Sequence, residues 1–113
     1  MIDKQLYQMH RTPNAVMHTL AAPSTGANDL AVWTVEMRAG QQGPRHTADQ
    51  EQVWVILDGT LVINGDEHTG TITIPARTER RIEARTDAHA LVASRAPITV
   101  ATGEGTRPLP WAT

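Results

Sequence analysis

The stretch GPRHTADQEQVWVILDG, residues 43–59, gathers side chains able to do chemistry around one short strand. His46 carries an imidazole that takes up and releases a proton near neutral pH, so it can serve as a general base or acid. Residues two apart on a strand share a face; if the loop after Ala48 preserves parity, His46, Gln52, Trp54 and Ile56 all point to one side. Gln52 can orient a carbonyl or a water through its amide. Trp54 can stack on a planar ligand, with Ile56 as apolar wall beside it. His89, which leads into ALVAS, is a further candidate to face the same pocket, the alternative being a histidine at a strand edge. Asp49 and Glu51 fall in the loop and on the outer face, with Asp49 near enough to flank the mouth as a second acid. His10, His18 and His68 lie in an arm, an early strand and a turn, and no chemistry is assigned to them.

Composition removes several other classes of chemistry. The chain has no cysteine, so thiolate metal sites, disulfides and cysteine nucleophiles are excluded. Its 113 residues are enough for one core and one site. Lys and Arg number 10 against 12 Asp and Glu, a net charge of −2, and no basic cluster exceeds the pair Arg80 and Arg81. No nucleic-acid partner is expected from such a surface. The opening MIDKQLYQMH lacks an apolar signal core and no apolar run reaches membrane-spanning length, so a cytoplasmic protein without a membrane partner is expected.

The elements that must position these residues are strands. Apolar residues recur at spacing two, and Gly, Pro, Asn and Asp interrupt them every eight to twelve residues. Strands are expected over 15–20, 30–38, 52–57, 60–63, 71–74, 90–94 and 98–102, with two short ones near 45–47 and 80–84. Asp58-Gly59 between VWVIL and TLVI is the strongest hairpin signal, followed by Asn64-Gly65. Many short strands at this spacing imply an all-β sandwich or barrel, because two sheets must cover each other's apolar faces. One domain, 1–113, is expected, with an N-terminal arm over 1–14 and a C-terminal tail, 106–113, packed over a barrel end or a partner subunit.

The sequence resembles the cupin superfamily, whose fold is a small antiparallel jelly-roll β-barrel. That family's first motif reads Gly, five residues, His-x-His, three or four residues, Glu, six residues, Gly. Aligned on Gly59, the motif puts its first His at His46, its second at Ala48 and its Glu at Gln52. The second motif, Pro-x-Gly-x-x-His, looks like PARTER: Pro75 matches, Arg77 stands at the glycine, and Arg80 takes the ligand histidine. The resemblance spans roughly 39–100, with Gly43 and Gly70 also in place. The chain is also similar to short stand-alone cupins common in actinobacteria, through Arg45, His46, Asp49, Glu51 to Trp54, and the Pro110-Trp111 tail. Short cupins pair, so the resemblance implies a homodimer, for which Met37, Val53 and Val55 offer apolar surface, with Trp33 either in the core or at that interface.

Family metal sites hold Fe, Mn, Ni or Zn with three or four donors, whereas only His46 and Gln52 remain here, and a guanidinium at the fourth position repels a cation. No cofactor is therefore favoured; the alternative is a divalent metal on His46 and Gln52, joined by Glu51, Asp49 or His89. In one arrangement Arg80 projects into the His46 cavity and holds a carboxylate, phenolate or enolate where the metal would have been; in the other Arg80 points to solvent and His46 is a partly exposed histidine at a strand end. In the first, His46, Arg80 and Gln52 would carry isomerase, lyase or cyclase chemistry on an oxygen-rich, anionic small molecule, with Trp54, Ile56 and His89 binding it. A metal-dependent oxygenase with atypical ligands and a non-catalytic metabolite-binding module are the alternatives.

Overall fold

A computed structural model describes residues 8–113; residues 1–7 of the expected arm lie outside the described part. Twelve strands follow in order: β1 Gln8–Arg11, β2 Val16–Ala21, β3 Leu30–Met37, β4 Thr47–Ala48, β5 Gln52–Asp58, β6 Leu61–Ile63, β7 Asp66–His68, β8 Thr71–Ile74, β9 Ile82–Ala84, β10 Ala88–Arg95, β11 Thr99–Thr102 and β12 Gly105–Pro108. The strands expected from the apolar alternation are all present, with ends shifted by a residue or two. β1, β7 and β12 are additions: they are short and largely polar, and they form by backbone pairing with an apolar neighbour rather than through an apolar face of their own.

The strands make a six-stranded antiparallel sheet ordered β1-β2-β3-β10-β5-β8 and two three-stranded sheets, β12-β11-β4 and β7-β6-β9. Bridges between Gln42 and Glu83 and between His46 and Arg80 join the two small sheets into one curved wall facing the large one. The result is a jelly roll, with its core between the walls. Alternation is regular: on β5, Gln52, Trp54 and Ile56 are buried while Val53, Val55 and Leu57 face outward. On β3 the same rule turns Ala31, Trp33, Val35 and Met37 inward. Trp33 is a core residue, one of its two expected placements; Met37 is interior as well, a correction to its expected part in a subunit interface, and the outward apolar residues of these two strands are Leu30, Val32, Val53, Val55 and Leu57.

The turns are built as their residues require. Asp58-Gly59 carries the chain from β5 in the large sheet to β6 in a small one, so it is a corner between two sheets and not the hairpin expected of it; Gly59 takes φ 83°, and a Cβ there would collide with the Asp87 carbonyl and Ala88 Cα, so no larger residue fits. Asn64 and Gly65 both take positive φ, 51° and 90°, the pairing a tight β6–β7 hairpin needs. Past β12 the chain turns through a 3-10 segment, Pro110–Ala112, which packs on β1, β2 and β3. Thr19 donates its hydroxyl to the Trp111 carbonyl at 2.7 Å and Ala112 is buried, so the tail closes one end of the barrel of its own chain. Among the described residues no helix is long and apolar enough to cross a membrane.

Candidate active site

Between the two walls lies a cavity of about 420 Å³, within the range of small-molecule sites. All three tryptophans of the chain, Trp33, Trp54 and Trp111, line it, together with Met17, Met37 and Ile82. Besides His46 and Gln52 its polar lining includes Arg11, Thr12, Asn14, Thr102 and Arg107, and no Asp or Glu is among the described lining residues.

His46 is held by backbone. Its N–H donates to the Arg80 carbonyl at 3.0 Å and its carbonyl accepts from the Arg80 N–H at 2.8 Å, so the first-motif segment and the PARTER turn are stitched together at this residue. Arg77 N–H adds a third bond, to the Ala48 carbonyl at 2.7 Å. The imidazole Nδ1 lies 3.0 Å from the Pro44 carbonyl. A carbonyl can only accept, so Nδ1 carries the hydrogen and the neutral ring leaves its lone pair on Nε2. Burial lowers the imidazole pKa below 6.5; the Pro44 bond works against this, and the positive Arg80 adds to it. His46 is thus neutral and basic at Nε2 at neutral pH.

Gln52 is buried on the cavity wall, and its orientation is determined by two donors. The Trp54 Nε1–H and an Arg80 Nη1–H both reach Gln52 Oε1, at 3.1 and 3.2 Å. Swapping oxygen for nitrogen would set three donors against each other, so the oxygen must sit between Trp54 and Arg80. The amide nitrogen, with its two hydrogens, has no partner among the described residues and is the group Gln52 can offer to a ligand.

Arg80 corrects the sequence expectation. It is fully buried and does not line the cavity. Its guanidinium donates to the Thr78 carbonyl from Nε at 3.0 Å and from Nη2 at 2.9 Å, and to the Pro75 carbonyl from Nη2 at 3.1 Å. A buried guanidinium must satisfy its N–H groups, and the tight PARTER turn sets two carbonyls within reach, so the edge that could grip a carboxylate is already spent. What remains is charge. The ion pairs among the described residues are Arg45–Glu79 and Arg85–Glu67, and Arg80 has no carboxylate partner. An unneutralised cation therefore sits directly behind Gln52.

The other expected site residues separate. Trp54 lines the cavity; Ile56, one step deeper along β5, is core and does not. His89 is a correction as well: alternation along β10 turns Ala88 and Ala90 inward and His89 outward with Leu91. Asp49 spends its carboxylate on the Thr99 N–H at 2.8 Å, capping the start of β11 rather than flanking the mouth. Residues the sequence reading passed over include Arg107 and Leu109, which reach the cavity through the polar strand β12 and the tail beyond it.

A divalent metal does not fit these donors. His46 offers one nitrogen, Ala48 none, and the one oxygen of Gln52 already accepts from a guanidinium and an indole. No three His, Asp or Glu side chains converge anywhere among the described residues.

No family model matches the chain, and no curated protein does either. Solved structures do. The polyketide cyclase RemF from Streptomyces resistomycificus superposes with a TM-score of 0.69 at 17% identity, over 87% of this chain and 82% of that one. An RmlC-like cupin from Shewanella frigidimarina also gives 0.69, at 13% identity over 84% and 88% of the two chains. The chain has the cupin fold. A salicylate 1,2-dioxygenase from Pseudoaminobacter salicylatoxidans shares this cupin barrel at a TM-score of 0.62 and 19% identity, over 77% of this chain; the match spans only 26% of the dioxygenase. The cupin frame also accounts for Arg77: it takes φ 61°, a left-handed conformation, at the position where the second cupin motif has glycine.

Proposed function

We propose that this cupin is an enzyme of proton-transfer chemistry, acting without a metal on a planar, oxygen-rich small molecule that becomes anionic as it reacts. One observation carries the proposal: a neutral imidazole with a bare Nε2 shares an apolar, aromatic-walled cavity with an amide N–H donor that is backed by an unneutralised buried cation. His46 Nε2 takes a proton from carbon next to a carbonyl. The enolate oxygen that forms accepts from Gln52 Nε2, and the positive field of Arg80 stabilises it through the low-dielectric barrel wall. His46 then returns the proton elsewhere on the substrate, the step that isomerisation, dehydration and aldol-type cyclisation have in common. The likeness to RemF, named as a polyketide cyclase, supports this choice among cupin chemistries.

The test uses 2-tetralone, a bicyclic ketone, and follows solvent deuterium uptake at its acidic carbon by NMR. Wild-type protein is expected to accelerate uptake, and His46→Gln to lose on the order of a hundredfold of that rate. Uptake no faster than in buffer, or unchanged in His46→Gln, would overturn the assignment. Two copies are also expected to pair through the outer face of the large sheet, where Leu57 is 55% and Leu30 57% exposed; sedimentation showing only monomer would remove that part.

A further inference from the structure

The geometry points to Arg107 as the anchor for a second, permanently anionic group on the substrate, a carboxylate at the end remote from the reacting carbon; this rests on the proton-transfer assignment above. Arg107 lies on β12 opposite Val100, which in turn lies opposite Ala48 on β4. Cross-strand partners share a face. Val100 and Ala48 are buried, so that face is the interior, and Arg107 and Val100 both line the cavity. His46 is two residues from Ala48 on the same side. Two inter-strand steps across and two residues along place the Arg107 and His46 Cα atoms about 12 Å apart. An arginine side chain reaching inward covers part of that span, and a fused-ring body between the tryptophans covers the rest.

Charge supports the placement. Among the described residues Arg107 has no ion-pair partner, and none of the carboxylates there lines the cavity to neutralise it. In a chain of net charge −2, the described residues thus give the cavity only positive charge, Arg107 and Arg11 among its lining and Arg80 behind the floor; of the two lining arginines, Arg107 shares a cross-strand face with Val100 and Ala48. Arg80 and Arg107 do different work. Arg80 has its N–H groups committed to Thr78, Pro75 and Gln52 and acts only by field; Arg107 has its planar fork free to take a carboxylate in two hydrogen bonds. A substrate held this way has one orientation, with its anionic end at the mouth and its carbonyl at Gln52.

The experiment compares 2-naphthoate with its neutral isostere 2-naphthamide, read by quenching of the cavity tryptophans. Wild-type protein is expected to prefer naphthoate by roughly tenfold to a hundredfold, the effect of a charge-assisted pair. Arg107→Gln should bring the ratio of the two dissociation constants close to one, and Arg107→Lys should retain most of the preference. No preference in the wild type, or a preference that survives in Arg107→Gln, would overturn the anchor; the second result would move the carboxylate to Arg11 or to the Gln52 end. Deuterium uptake by neutral 2-tetralone, with and without His46, reports on the proton-transfer assignment independently, so the failure of either proposal is visible without the other.

Discussion

The two motif segments that meet at His46 differ in where they spend their polar groups. The segment from Gly43 to Gln52 turns an imidazole nitrogen and an amide nitrogen toward the cavity, both without partners among the described residues. The PARTER turn does the reverse, committing Arg80 to two of its own carbonyls and to the back of Gln52. One segment supplies groups that can touch a ligand; the other fixes those groups in place and sets the potential they work in. Sequence position alone treats His46 and Arg80 as equivalent, since each stands where a metal ligand would stand in the family pattern. Burial and hydrogen bonding distinguish them.

The largest consequence concerns Arg80. Arg80→Met removes the buried charge but strands the Pro75 and Thr78 carbonyls and one side of Gln52 Oε1. At about 1–3 kcal/mol for each buried group left unpaired, a loss of roughly 3–5 kcal/mol is expected in urea unfolding. A change inside about 0.5 kcal/mol, typical of exposed sites, would mean the guanidinium reaches solvent and the division between the two segments is false.

A second experiment erases the difference by restoring the family pattern. The combined variant Ala48→His, Gln52→Glu and Arg80→His would give both segments donors and remove the cation, so added Zn²⁺ should raise its stability by about 2.7 kcal/mol at a concentration one hundred times Kd. Wild-type protein should show no such gain. Equal stabilisation of both would show that His46 and Gln52 suffice to hold a metal, against the donor count given above.

A smaller effect should appear in the pH dependence. His46 has its folded pKa lowered from 6.5, first by burial and also by Arg80. The unfolded chain therefore binds the proton more readily, and the stability this residue contributes is present above pH 6.5 and lost as pH falls through the lower folded value. Catalysis should fail on the same acid side, because the base must be neutral. Gln52→Glu would set a carboxylate against Arg80, offset its field and move the His46 titration upward. An NMR titration of the His46 ring that gives the same midpoint in both proteins would break the electrostatic link between the segments.

How far this arrangement was legible in the sequence depends on which interactions carry it. The barrel was legible because alternation along residues 30–38 and 52–57 is a direct image of one buried face, and Asp58-Gly59 and Asn64-Gly65 are turns that few other residues can make. His46, Gln52 and Trp54 on the cavity side follow from the same parity. The direction of Arg80 was not legible: it depends on two carbonyls of a tight turn, and backbone acceptors leave no mark in side-chain identity. His89 and Ile56 were misplaced for a related reason, since a pocket has depth and an outer wall that strand periodicity does not specify. β12 was missed because a strand that pairs through its backbone and faces water on one side needs no apolar pattern, and Arg107 was missed with it.

The finest test of the motif correspondence is Arg77. It holds φ 61°, where a side chain costs roughly 1–2 kcal/mol relative to glycine, and its N–H is bonded to the Ala48 carbonyl beside the site. Arg77→Gly restores the residue the family pattern has here. It relieves the left-handed strain but enlarges the freedom of the unfolded chain, so the net gain should be modest, about 0.5–1 kcal/mol in urea unfolding. Because the Ala48 bond is made by backbone, the gain should come without loss of His46-dependent deuterium uptake. A destabilised Arg77→Gly protein would mean that the Arg77 side chain itself holds the turn. PARTER would then keep its shape by contacts particular to this chain, and the placement of Arg80 behind Gln52 would owe nothing to the backbone conformation it shares with the second cupin motif.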